Sequence, residues 1–344
     1  MKMAPLMLEY RKHPDQFDPV LVHTGQHYDD NMSKVFFEEL NIPQPDINLG
    51  IGGGTHGEQT GQMIIGIEKV LLKEKPDWLL IYGDTNSTLA GALAAVKVNI
   101  PVAHVEAGLR SYNRTMPEEI NRVLCDQVST VLFCPTELAI QNLKKEGVIK
   151  GVYNVGDVMG DALDFYRPIA MEHSQILKEL GLRAKSYALA TVHRAGNTDD
   201  PIRLRSILSS FEKLPIPVVF PVHPRTRKMM LNLGLSLGEN IRAIDPVSYF
   251  DMLCLEANAD CILTDSGGIQ KEAYWLGIRC ITLREETEWI ETVSAGWNLL
   301  TGTNTDAIVK AVMTWRPTLP QIPIYGDGKA SAKVVDILMN FSFR

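Results

Sequence analysis

The chain has 344 residues, more than one hydrophobic core usually spans and enough for two domains. Hydrophobic residues make up 45% and charged residues 22%, with 26 Gly and 19 Pro, a balance that excludes a disordered, collagenous or coiled-coil chain. The net charge of −7 comes from 34 basic and 41 acidic residues dispersed without a basic block, which argues against a nucleic-acid partner.

The first predicted element is a helix over Lys2–Tyr10, with Pro5 in its first turn, and the first predicted strand is Val20–His23. No strand precedes that helix. In a doubly wound sheet the first strand is usually central, so the chain reads as though its front strand were missing. Strands are then expected at Trp78–Gly83, Val102–Glu106, Val131–Cys134, Ala188–His193, Val218–His223, Ile241–Ile244, Cys261–Thr264 and Cys280–Leu283. Helices fall between them: Thr85–Val98 after an Asp84-Thr85 cap, Pro117–Cys125 behind Pro-Glu-Glu, and another opened by Pro135-Thr136-Glu137. Short apolar strands alternating with helical segments predict parallel sheets covered on both faces. The alternation restarts after 157–168, which places a domain of residues 1–160 before one of 161–344.

Neither end of the composition suggests a membrane. The longest apolar runs fall far short of the roughly 20 residues a bilayer span needs, and the start lacks a secretory h-region. A cytoplasmic protein is expected. Cys125, Cys134, Cys254, Cys261 and Cys280 are widely spaced, without CxxC or Cys/His ligand spacing, and read as reduced core residues with no structural metal.

Three acidic motifs stand where strands end. Tyr82-Gly83-Asp84-Thr85-Asn86-Ser87-Thr88 places Asp84 directly after an apolar strand, His104-Val105-Glu106-Ala107-Gly108-Leu109-Arg110 does the same for Glu106, and Met116-Pro117-Glu118-Glu119 puts Glu118 at a helix start. Ligands of open α/β sheets bind beyond the carboxyl ends of strands, where such acids converge. Taken singly, Asp84 and Glu118 also read as helix caps. Three acids within 35 residues favour a site, because carboxylates held close acquire separated pKa values suited to proton transfer.

The second half adds Thr191-Val192-His193-Arg194 and Pro221-Val222-His223-Pro224-Arg225, two strand-end histidines beside arginines, a pattern for anion or proton handling. The strongest local signal is Thr264-Asp265-Ser266-Gly267-Gly268-Ile269-Gln270-Lys271-Glu272. A strand turns into a helix through Ser266, Gly267 and Gly268, exposing backbone N–H groups where a diphosphate fits, and Glu272 lies one turn on, in reach of ribose hydroxyls. Gly52-Gly53-Gly54-Thr55 precedes no GK[ST] and reads as a mobile loop rather than a Walker loop. Arg284-Glu285-Glu286-Thr287-Glu288-Trp289 follows the last predicted strand of the second half and either lines the ligand site or is solvated.

These motifs, together with Lys2-Met3-Ala4-Pro5, His23-Thr24-Gly25-Gln26-His27 and Pro117-Glu118-Glu119-Ile120-Asn121-Arg122, resemble the non-hydrolysing UDP-N-acetylglucosamine 2-epimerase family along essentially the whole chain. The resemblance implies the GT-B architecture, two Rossmann-like α/β domains with the nucleotide sugar in the cleft between them, the last helix packing back on the first domain, a homodimer, and no cofactor. It implies catalytic roles for Asp84, Glu106, Glu118 and His193, and binding of the UDP-sugar by Lys2, His223, Ser266, Gly267, Gly268, Glu272 and Arg284. Family members begin with a strand and a Gly-Thr-Arg-Pro-Glu turn before the Lys2 motif, so a truncated, poorly folding copy is one expectation.

The implied reaction is C2 epimerisation of UDP-GlcNAc to UDP-ManNAc through elimination of UDP to 2-acetamidoglucal and its re-addition. Ser111-Tyr112-Asn113-Arg114 beside the Asp84 motif looks closer to epimerases of UDP-2,3-diacetamido-2,3-dideoxyglucuronate, which keeps that substrate as an alternative. A glycosyltransferase of the same architecture and a non-catalytic UDP-sugar-binding protein are the rival classes. Which carboxylate is base and which acid is not readable from spacing.

Overall fold

The structure is a computed structural model that describes residues 2–25, 40 and 42–342. Of the motif at 23–27, Gln26 and His27 lie outside the described residues. Two compact units are present, Met1–Asp164 with Pro323–Arg344, and Phe165–Ile322.

The first unit carries β1 (Val22–His23) and β2 (Ile47–Asn48) as a parallel pair, and β3 (Leu79–Tyr82), β4 (Val102–Val105), β5 (Val131–Cys134) and β6 (Val152–Asn154) as a parallel sheet in that order. Strands β4 and β5 are buried at every position, which is why their sequences run apolar without alternation, interrupted only by His104. One face is covered by helices Met3–Tyr10 and Ala330–Asn340, where Leu6, Met7 and Tyr10 meet Val334, Val335 and Leu338 over β4 and β5. The other is covered by helices His56–Glu74 and Asn86–Lys97. Gly91 lets the second of these approach β3, since a Cβ there would lie 3.1 Å from Ile81 Cγ2.

The second unit holds a six-stranded parallel sheet in the order β12-β11-β10-β7-β8-β9, made of β7 (Ala188–Thr191), β8 (Val218–Pro221), β9 (Ile241–Ile244), β10 (Cys261–Thr264), β11 (Arg279–Thr282) and β12 (Asn298–Leu300). Helices Pro201–Glu212 and Thr305–Thr314 bury Leu204, Ile207, Phe211, Ile308 and Val312 on one face, and Tyr249–Asn258 and Gly267–Trp275 bury Leu255 and Ala273 on the other. All five cysteines are buried and free, and burial pushes the Cys261 and Cys280 thiols up to about 12. They are inert core side chains.

Gly52-Gly53-Gly54-Thr55 is the run-in to helix His56–Glu74, with Thr55 Oγ1 accepting from Glu58 N–H while the Glu58 carboxylate accepts from Thr55 N–H, a reciprocal cap.

Strand β3 pairs only with β4 among the described residues. Leu79 N–H and Gly83 N–H donate to Pro101 and Val105 carbonyls at 2.9 and 3.0 Å, so in a parallel ladder the Leu80 and Tyr82 amides face away from β4. They face a cleft of about 1160 Å³ whose other wall includes Leu21 and Val22 of the β1 segment. Amide hydrogen exchange at Leu80 and Tyr82 should therefore be about tenfold or more faster than at Ile81. Equal protection of the three amides would show that this edge is covered.

Candidate active site

In the first unit the chain leaves β3 through Gly83 (φ +64°), and leaves β4 through Glu106, a non-glycine residue at φ +73°. The left-handed backbone at Glu106 is strained, and it is held by the Glu106 and Ala107 N–H groups both donating to Phe133 O, at 3.1 and 3.0 Å. The Glu106 side chain is buried and ion-paired with Lys2. Both lie against Gly83: a Cβ there would stand 2.7 Å from Lys2 Nζ and 3.5 Å from Glu106 Oε2. A side chain at 83 would strain the left-handed backbone there and displace the Lys2 ammonium.

Asp84 follows directly. The helix start behind it is capped by Thr85, whose hydroxyl accepts from Thr88 N–H, so Asp84 is not the cap that the sequence allowed. Its carboxylate instead accepts from Arg122 Nη2 at 2.5 Å, and its carbonyl from Asn121 Nδ2 at 2.9 Å. Asn121 and Arg122 sit one turn after Glu118 on helix Pro117–Val128, so the helix that presents Glu118 is tied to the Asp84 turn. Glu118 is half-buried at the second helical position, and the N-cap is Met116. The neighbouring Glu119 has a different task. Fully buried, it accepts from Ser111 N–H and Tyr112 N–H, both at 2.9 Å, and from Arg122 Nη1 at 3.0 Å.

Beneath these turns lies Asp126. Its Oδ1 is 2.8 Å from His104 Nδ1, and its Oδ2 accepts from Gly108 N–H at 3.1 Å and from Arg110 Nη1 at 2.6 Å. His104 Nε2 meets the Gly83 carbonyl at 2.8 Å. One buried carboxylate thereby fixes the ends of both β3 and β4.

In the second unit Asp265 plays the same part. Its carboxylate accepts from His193 N–H at 3.0 Å, Arg194 N–H at 3.1 Å and Asn197 Nδ2 at 3.1 Å, joining the end of β10 to the end of β7. His193 lies 3.8 Å from Asp265 through Nδ1, and its ring centroid is 5.6 Å from that of His223. Burial holds the His193 pKa below its usual value against the opposing pull of Asp265, and burial with nearby Arg225 lowers that of His223. The His223 ring also caps helix Pro224–Asn232, accepting from Arg225 N–H at 3.2 Å.

Ser266 is the N-cap of helix Gly267–Trp275, its hydroxyl facing Ile269 N–H at 3.5 Å. A Cβ at Gly267 would collide with the Glu288 carboxylate, whereas one at Gly268 would meet nothing closer than Ser266 Oγ at 3.8 Å. The side of the turn at Gly268 is thus open to a ligand. Glu272 is buried near Glu256, whose pKa is driven well up by burial and then by the Glu272 charge. Arg284 follows β11, also buried, with Nη2 3.1 Å from Glu288 Oε2.

The structure thus gathers Lys2, Glu106 and Asp84 around Gly83, with Glu118 on the helix docked there. Separately it gathers His193, His223, Ser266, Gly267 and Gly268 at the ends of neighbouring strands. Arg122, Asp126, Asp265 and Glu288 did not stand out in the sequence as functional, although all but Asp126 lie inside the quoted motifs; each has at least one partner distant in sequence, Asp84, His104, His193 and Arg194 respectively. Asp126→Ala should leave Arg110 and the Gly108 N–H without their buried acceptor and lower the unfolding free energy by about 3–5 kcal/mol in equilibrium denaturation. A loss below about 1 kcal/mol would contradict the role given to this carboxylate.

The UDP-N-acetylglucosamine 2-epimerase family model matches residues 9–339. A UDP-2,3-diacetamido-2,3-dideoxy-D-glucuronate 2-epimerase of Pseudomonas aeruginosa is 50% identical over 327 residues, covering 93% of this chain and 90% of that protein. A UDP-N-acetylglucosamine 2-epimerase of Methanocaldococcus jannaschii is 46% identical over 356 residues, covering 98% and 95%. The crystal structure of the M. jannaschii UDP-GlcNAc 2-epimerase in complex with UDP-GlcNAc and UDP superposes with a TM-score of 0.92 at 45% identity, over 99% of this chain and 96% of that one. The fold, the strand-end acids and the near-complete family match together place the chain in the UDP-N-acetylglucosamine 2-epimerase family, isomerases of α/β GT-B architecture.

Proposed function

We propose that this chain inverts C2 of a UDP-2-acetamido sugar, interconverting UDP-GlcNAc and UDP-ManNAc. The observation that carries the reading is the set of three carboxylates, Asp84, Glu106 and Glu118, built around one glycine turn and its docked helix. A glycosyltransferase requires fewer acids.

The C2 proton is not acidic, because no carbonyl is conjugated to it, and direct deprotonation would face a prohibitive barrier. Elimination avoids this. A base removes the C2 proton while the C1–O bond breaks, its electron pair leaving with UDP and a C1=C2 double bond forming. Returning UDP then attacks C1 as an acid delivers a proton to the opposite face of C2. The sequence is redox neutral and needs no electron acceptor. It needs a base, an acid and a seat that holds the departing diphosphate. Asp84, Glu106 and Glu118 supply proton transfer, with Lys2 and Arg122 fixing two of them by ion pairs. The open Gly268 side of the helix start, with His193 and Arg284, suits the diphosphate, and Glu272 suits the ribose. The P. aeruginosa relative supports a second reading, in which the substrate is the 2,3-diacetamido glucuronate.

Incubation of the purified chain with UDP-GlcNAc and no acceptor, followed by NMR, should give UDP-ManNAc. The same assay with UDP-2,3-diacetamido-2,3-dideoxyglucuronate decides between the two substrates by kcat/KM. Turnover of neither sugar would refute the reading. Asp84→Asn, Glu106→Gln and Glu118→Gln should keep UDP affinity while turnover falls by about 10²-fold or more. Glu272→Ala should instead weaken UDP binding by about 1–3 kcal/mol. Parallel loss of binding and turnover in an amide variant would assign that residue to substrate holding.

A further inference from the structure

The second unit contains a buried carboxylate, Glu288, that the elimination chemistry does not use. Glu288 is buried, its Oε2 lies 3.1 Å from Arg284 Nη2, and its Oε1 lies 3.9 Å from Arg194 Nη2. The carboxylate reaches so close to Gly267 that only a glycine fits there. The segment is pinned to the same helix, because Thr287 Oγ1 donates to Gln270 Oε1 at 2.6 Å and Trp289 N–H donates to Thr287 Oγ1 at 3.1 Å. Buried Lys271 stands 4.2 Å over the Trp289 ring. Arg284, Arg194 and Lys271 therefore stand beside the helix start together with Glu288 and the buried Asp265 and Glu272.

The pairing of Glu288 with the arginines has an unusual form. Arg284 is buried, yet neither Nη1 nor Nη2 makes a hydrogen bond among the described residues, and its contact with Glu288 is a close approach without hydrogen-bond alignment. The Arg194 contact is longer still. A buried guanidinium without compensating charge is strongly destabilising, so an anion must be present. Glu288 compensates charge without occupying the Arg284 Nη donors, which leaves those two donors for another acceptor. Guanidinium and diphosphate are matched for bidentate hydrogen bonding.

We propose that Glu288 is a positioning residue, an internal counter-anion that holds Arg284 and Arg194 in place while the nucleotide site is empty and competes with the diphosphate for them. This rests on the reading of the Ser266–Gly268 turn as the diphosphate seat. The consequence is weakened retention of the nucleotide: part of the attraction between the arginines and UDP is already spent on Glu288. An epimerase must hold UDP through elimination and return, yet release the epimerised UDP-sugar, and a built-in competitor sets that balance.

The test compares the parent chain with Glu288→Gln, which keeps the shape and removes the charge, and with Glu288→Asp, which keeps the charge. UDP is titrated calorimetrically and its effect on melting temperature is measured. Glu288→Gln should melt lower than the parent without ligand, gain more in melting temperature from saturating UDP, and bind UDP about tenfold tighter, the scale of one charge-assisted contact. Its kcat and KM should fall together as release slows, and Glu288→Asp should stay near the parent in UDP affinity. A Glu288→Gln protein that folds and binds UDP equally or more weakly overturns the proposal, since a purely structural carboxylate gives that result. Glu288→Asp with UDP affinity as tight as Glu288→Gln overturns it as well, because charge would then not be the cause. Glu272→Ala serves as the control for the seat itself: if UDP affinity is unchanged there, the nucleotide reading fails along with the inference, whereas weakened binding there isolates the failure to Glu288.

Discussion

The four-stranded and six-stranded sheets are each tied off at their carboxyl edge by one buried aspartate. Parallel strands end on the same edge, where the ladder stops and backbone groups lose their partners. In the first unit Asp126 takes up the Gly108 N–H, the Arg110 guanidinium and the His104 ring, and that ring reaches on to the Gly83 carbonyl. In the second unit Asp265 takes up two successive N–H groups at His193 and Arg194 and the Asn197 amide. The chemical groups are arranged around these knots. Asp84 and Glu106 extend from the turns that Asp126 holds, and His193 and Ser266 flank the backbone that Asp265 holds.

The acids of the first unit differ in how deeply they are held. Glu118 and Glu119 are adjacent in sequence, but Glu119 is consumed by two backbone amides and Arg122, while Glu118 sits half-exposed at the helix start. Asp84 and Glu106 each carry one cation, Arg122 and Lys2, and those cations fix side chains that would otherwise sample several rotamers. Under the proposed elimination and re-addition, such placement matters more than affinity.

Much of this was visible in the sequence for a physical reason. Strands buried on both faces are apolar nearly throughout, so Val131–Cys134 and Cys261–Thr264 are found at the expected bounds. Ile241–Ile244 is found there too, as an edge strand with Arg242 exposed. Most others end one or two residues early, and the first begins two residues late, at Val22. The short strands Ile47–Asn48, Val152–Asn154 and Asn298–Leu300 were not visible, having two or three residues, with polar ones among them. Helix His56–Glu74 was hidden behind its glycine-rich approach, although Thr55 and Glu58 at cap spacing were the available signal. Asp84 and Glu106 were legible because they follow strands directly, and Glu118 because it opens a helix behind a proline. Their partners were not: Lys2 and Glu106, or Asp84 and Arg122, are far apart in the chain, and no local pattern marks a pair that only the fold brings together.

The central claim is that UDP leaves and returns during inversion at C2, with the carboxylates moving the proton and the second unit keeping the nucleotide. It is tested most directly by the fate of the oxygen that joins C1 of the sugar to the β-phosphorus. With UDP-GlcNAc labelled by ¹⁸O at that bridge, incubation with the chain in D₂O should scramble the label into the non-bridging β-phosphate oxygens, read by ³¹P NMR, and should place deuterium at C2. Inversion at C2 with the label still wholly in the bridge and no deuterium at C2 would contradict the account.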